Sequence, residues 1–154
     1  MNTIQQDQEL LLQNLCGRLP YGVKLDFYAH ATDEHYVCKL VGIVPENGMP
    51  IIAETDCGSF TLLQEHVKPY LFPLSSLTQE QCYELGMISS ELRDSWKYTR
   101  ISIPLLLCNF KQIDFFYRYH IDFHGFIDRG LAIDTTGKIF IDMINEQFKC
   151  KELL

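Results

Sequence analysis

The apolar positions of this chain change their period along the sequence, and each change predicts a new element. Between Thr3 and Gly17, Ile4, Leu11, Leu12 and Leu15 fall on one stripe at helical spacing. Thr3 is the expected cap, and Gln6 three residues later can return the hydrogen bond as a capping box. Gly17 offers a left-handed stop, and Pro20 bars continuation. From Tyr21 the period falls to two. In YGVKLDFYAH, Val23, Leu25 and Phe27 alternate with Lys24, Asp26 and Tyr28; in HYVCKLVGIV, Tyr36, Cys38 and Leu40 oppose Val37, Lys39 and Val41. The short ATDE between them predicts an antiparallel hairpin. Asn47-Gly48 marks a second turn, and IIAE and SFTLL around TDCG complete a meander.

The stretch HVKPYLFPLSSLTQEQ, His66 to Gln81, follows this meander. Two prolines push the residues before them to extended conformations, so VKPYLFPL is expected as an extended crossing that buries Tyr70, Leu71 and Phe72. Thr78 and Gln81 repeat the capping-box spacing, with Leu77 as a staple residue. A helix then carries Cys82, Leu85, Ile88, Leu92 and Trp96 at steps of three and four, interrupted by Gly86. Its hydroxyls, histidine and lysine therefore read as a joint between two halves rather than as a working site.

The last third alternates the two periods again. NFKQIDFFYRYHIDFHG predicts a helix opened by Asn109, with Phe110, Ile113, Phe116, Tyr117 and His120 or Ile121 on its apolar face, ending at Gly125. FIDRG is expected as a single helical turn stopped by Gly130. LAID, TTG and KIFID then read as a hairpin, and MINEQFKCKELL has helical spacing without a strong stop. The fold class is α+β in one domain over 1–154: a helix and a small antiparallel meander or partial barrel in 1–74, helices and a short hairpin in 75–154.

Composition narrows the function classes. With 154 residues, 47% hydrophobic and 21% charged, the chain has the balance of an ordinary globular domain. Apolar runs such as IPLLLC are too short to cross a bilayer, and MNTIQQDQE lacks the basic start of a secretory signal. A cytoplasmic protein without membrane contact is expected. The six cysteines, at 16, 38, 57, 82, 108 and 150, form no CxxC pair and read as buried free thiols. The net charge of −7 argues against direct nucleic-acid binding, and Arg93, Lys97 and Arg100 are the longest basic set.

Candidate chemistry is sparse. His120 and His124 are four apart, the spacing by which adjacent helical turns bring two imidazoles to one metal ion. Asp128 is the third candidate ligand, with Asp114 or Cys108 as others that folding would have to supply, since Asp122 would lie on the opposite side of the helix. Cys57 and His66 are a Cys–His pair on paper, and Asp122 with Asp128 a carboxylate pair. Each also has a plain structural reading as a turn, surface or helix-end residue. No GxGxxG, P-loop or GxSxG occurs, so no cofactor is expected. The rings of Phe110, Phe115, Phe116, Tyr117, Tyr119 and Phe123 exceed one helical face, and the surplus points to an oligomer or partner surface.

Three blocks, LCGRLPYGVKL, VKPYLFPLSSLT and HIDFHGFIDRGLAID, occur in that order. Together they resemble a family of uncharacterised small proteins common in Bacteroides-type bacteria, their phages and integrated elements. The resemblance spans roughly Leu15 to Asp134 and implies an intracellular setting linked to mobile elements. It implies no activity and no catalytic residue, and it implies Arg in place of His124 in many relatives, which a metal site would not tolerate. The expected function is a non-enzymatic accessory or interaction protein that contacts a protein partner or itself. The alternative is a metal-dependent hydrolase using His120 and His124.

Overall fold

A computed structural model of the chain describes residues 2–46, 48–85 and 109–136. The first helix, α1 (Thr3–Arg18), is capped by Asn2 and not by Thr3: the extended Asn2 accepts the Gln5 backbone N–H at 2.9 Å. It also runs one residue past Gly17. A three-residue tight turn, Leu19–Tyr21, takes Pro20 near its own start, where a missing N–H costs nothing. Gly22, at φ 63°, makes the left-handed exit. Gly17 serves another purpose, because a methyl group built on it would overlap the ring of Tyr117.

The period-two segments become strands with the expected pairing. Strands β1 (Lys24–Ala29) and β2 (Glu34–Ile43) form the antiparallel hairpin, with Tyr28 opposite His35 and Asp26 opposite Val37. Strands β3 (Ile51–Thr55) and β4 (Gly58–Leu62) continue the meander, with a register shift between Leu40 and Gly42. The prolines of VKPYLFP do not prevent a strand. β5 (Val67–Pro73) returns to pair antiparallel with β1, setting Asp26 opposite Lys68. It also takes two short parallel partners, β6 (Ile121–Asp122) and β7 (Ile133–Asp134). The sheet order is β4-β3-β2-β1-β5-β6, with β7 on β5. The result is one N-terminal helix, a mostly antiparallel sheet and later helices, a mixed α+β arrangement.

Among the described residues, two apolar clusters hold these elements. Leu11 and Leu15 of α1 pack on Leu25, Leu40, Ile51, Ala53, Val67 and Leu71 of the sheet. The buried face of α1 is Leu11, Asn14, Leu15 and Arg18, whereas Ile4 is 72% exposed, so the expected apolar stripe is partly replaced by a polar pair. The second cluster joins Leu74, Leu77 and Leu85 to Phe115, Phe116, Ile121 and Phe123. Thr78 caps α2 (Gln79–Glu84) with both bonds of the capping box, at 3.2 and 2.9 Å, and Leu77 before it is buried in this second cluster. Phe72, expected inside, is 40% exposed. The continuation of this helix through Ile88, Leu92 and Trp96, the basic set at Arg93, Lys97 and Arg100, and the segments KIFID and MINEQFKCKELL lie outside the described residues.

Asn109 opens α3 (Phe110–Arg118) with a reciprocal bond pair to Gln112. The expected helix through His124 is not formed. It stops at Arg118, and His120 turns the chain in the left-handed region at φ 56° before β6. Two competing bonds explain the stop. The Phe72 N–H donates to the His120 carbonyl at 2.8 Å, and Arg18 donates to the Ile121 carbonyl at 2.6 Å. Pairing with β5 and the Arg18 anchor outweigh one further helical turn.

Candidate functional site

Arg18, at the end of α1, reaches the segment that runs from Phe116 to Phe123. Its side chain is fully buried and donates from Nε to Asn14 Oδ1 at 2.6 Å and from its two terminal nitrogens to the carbonyls of Phe116 and Ile121 at 3.1 and 2.6 Å. The guanidinium lies 5.5 Å from the Tyr117 ring centre and 5.8 Å from that of Phe123. Burial lowers its pKa to about 10, with Asp122 opposing the shift, so it stays charged at neutral pH. Asp122 accepts the backbone N–H groups of Phe126 and Ile127 at 2.9 and 2.8 Å. Burial raises its pKa and these bonds lower it, with a net shift upward. Both carboxylate oxygens are thus engaged in fixing the turn after Gly125.

His120 and His124 flank this core and do not share a helix face. Burial, followed by the charge of Arg18, lowers the pKa of each to about 4, with Arg129 a further cause at His124. A hydrogen bond to the Tyr21 backbone opposes the shift at His120, whose Nδ1 is buried without a partner. The His124 ring packs 4.3 Å from Phe123 and 5.2 Å from Phe126. Asp128 lines a separate cavity of about 230 Å³, formed by Pro73, Leu74, Ser75, Asp122, Gly125, Ile127, Asp134 and Thr136. Neither histidine is among the lining residues. Among the described residues, no group of three or more His, Cys, Asp or Glu is placed to hold a metal ion. Asp122 and Asp128 both line this cavity. Asp114 accepts the Tyr21 hydroxyl, and Cys108 lies outside the described residues.

The other sequence candidates separate. Cys57 is exposed in the β3–β4 turn, and His66 lies beyond the far end of β4, about 17 Å of strand away. Cys16 is exposed as well, against the expectation of buried thiols, whereas Cys38 is buried. Burial and nearby Asp26 push the Cys38 thiol up to about 12, which makes it a packing group rather than a nucleophile. In the aromatic group, Phe115, Phe116 and Phe123 are core, Tyr119 is 37% exposed beside Arg118, and Phe110 is 90% exposed.

A polar cluster that the sequence reading passed over lies on the face of β1 opposite its core residues. Asp26, expected to face solvent, is 3% exposed. His35 Nδ1 sits 2.9 Å from its Oδ2, and the Tyr70 hydroxyl donates to Oδ1 at 3.4 Å. Burial, then the Asp26 charge, pushes the Tyr70 phenol upward. His35 stays half exposed, and a row of rings continues from it through Tyr28 at 4.9 Å to His30 at 4.5 Å and His66 at 4.6 Å. The signal was present in the alternation: Asp26, Tyr28 and His30 share one face, and the hairpin register sets His35 beside them.

The outer edge of the sheet has the least cover. Among the described residues β4 pairs only with β3, and its pattern of exposure leaves only Leu62 buried. Phe60, in the middle of the strand, is 48% exposed. The run Cys57–Gln64 around it carries no charge. No described helix is long and apolar enough to cross a membrane. Comparison with protein-family models, with curated proteins and with solved structures finds no match to this chain.

Proposed function

We propose that this chain is a non-enzymatic accessory protein that works inside the cell by contact with another polypeptide, encoded on a phage or integrated element. The resemblance of the three sequence blocks supports the setting. The observation that carries the activity is the outer edge of β4, a row of backbone donors and acceptors without a strand partner among the described residues, with Phe60 exposed at its centre. Natural sheets blunt such edges with charge, proline or bulges. The strand GSFTL has none of these, and an extended chain added there would gain backbone hydrogen bonds and an aromatic contact.

The groups best suited to chemistry support structural work instead. Arg18 and Asp122 spend their polar atoms on backbone and on Asn14, and Asp26 spends its own on His35 and Tyr70. The test is self-association and protein capture by the wild-type chain beside Phe60→Glu. Binding lost in the variant supports the reading, and a strictly monomeric wild type that captures nothing contradicts it. The hydrolase alternative is decided by metal analysis of the purified protein beside the His120→Ala/His124→Ala pair. Stoichiometric metal lost in the pair would favour it.

A further inference from the structure

We infer that the partner of the β4 edge is a second copy of this chain, joined by antiparallel β4–β4 pairing about a two-fold axis at Phe60. This rests on the binding reading above and names its partner. Two copies that each carry a net charge of −7 repel one another, and a self-contact made on an uncharged strip brings no like charges face to face. The run Cys57–Gln64 is such a strip, and β4 is its centre. A strand of five residues centred on Phe60 is self-complementary when reversed. Phe60 then meets its own image, Ser59 meets Thr61, and Gly58 meets Leu62.

The faces also agree. Phe60 is paired with Ala53 and Leu62 with Ile51, both core positions of β3, so Phe60 and Leu62 lie on the core face of the sheet. Ser59 and Thr61, opposite Glu54 and Ile52, lie on the other face. The pairing therefore extends the apolar face of one sheet into the next and sets hydroxyl against hydroxyl behind it. Directly opposed residues of an antiparallel pair approach to about 4.5–5.5 Å between Cβ atoms, close enough for the two Phe60 rings to cover one another. An isologous contact of this kind closes at two copies.

Five paired residues bury less than the roughly 1,200 Å² at which stable interfaces begin, so the dimer is weak and depends on concentration. Sedimentation equilibrium of the full chain across the micromolar to sub-millimolar range should show reversible dimerisation. Phe60→Glu and Phe60→Lys place like charges face to face, and each alone should be monomeric over that range. Their equimolar mixture should form the dimer again, which also shows that both variants are folded. A wild type that stays monomeric throughout overturns the inference, as does a dimer that persists in both variants. Capture of a different protein by a monomeric wild type, lost in Phe60→Glu, overturns self-pairing and leaves the binding reading standing.

Discussion

Arg18 at the end of α1 donates to the carbonyl of Ile121, 103 residues further along the chain, at 2.6 Å. That bond, with the one to the Phe116 carbonyl, ties the first helix to the point where α3 gives way to β6. Arg18→Met would leave Asn14 Oδ1 and two buried carbonyls without this donor and remove the cation facing Asp122. A loss of about 3–5 kcal/mol is expected, read as the shift in urea midpoint. Arg18→Lys should recover less than half, because one ammonium cannot span the same fork. A midpoint unchanged in Arg18→Met would show that the anchor does not hold the two segments together.

His120 and His124 make stability fall on mild acidification. Their folded pKa values of about 4 lie below the ordinary 6.5, so between these values the unfolded chain binds more protons. The contribution is complete above about pH 6.5 and is lost as pH falls toward 4. Arg18 faces both rings and Arg129 faces His124. Asp122, raised by burial, acts in the opposite sense at the acid end. Allowing for partial exposure, the two histidines together account for roughly 1–3 kcal/mol between pH 7 and 5. Urea midpoints at the two pH values should differ in the wild type and nearly coincide in His120→Asn/His124→Asn.

Gly17→Ala separates two effects of opposite sign. Helix propensity alone would favour Ala by about 1 kcal/mol. The new methyl would instead meet the Tyr117 ring, and displacing it should cost about 1–3 kcal/mol. The melting midpoint should fall in the wild-type background, and the same Gly17→Ala change should no longer lower it when made in a Tyr117→Ser background, where the ring is absent. A rise in the single variant would mean that the ring yields freely.

Thr78→Ala removes one half of a reciprocal cap and should cost about 0.5–2 kcal/mol. At roughly 2–4 °C per kcal/mol for a chain of this size, the melting midpoint should drop measurably. An unchanged midpoint would place the start of α2 elsewhere.

Local signals in the sequence carried the elements whose causes are local. Thr78 with Gln81 caps where the spacing says, Asn109 opens its helix, and the alternation from Val23 to Leu40 gives the antiparallel hairpin. What failed depended on distant partners. Nothing near His120 announces that β5 and Arg18 will take the carbonyls that a longer helix needed. Asp26 reads as a solvent-facing strand position until Tyr70 and His35 cover it. Prolines at 69 and 73 argue for a mere crossing until β1 supplies a strand to pair with. The metal spacing at His120 and His124 was likewise a property of an assumed helix.

The proposed binding requires that β4 acquire a strand partner. Amide hydrogen exchange of Gly58–Leu62, followed as protein concentration rises, reports this residue by residue. Protection of the outward-facing amides of β4 should grow, with no matching change in β1 or β5. Exchange at Gly58–Leu62 that stays the same at every concentration, and in the presence of any captured protein, would contradict it.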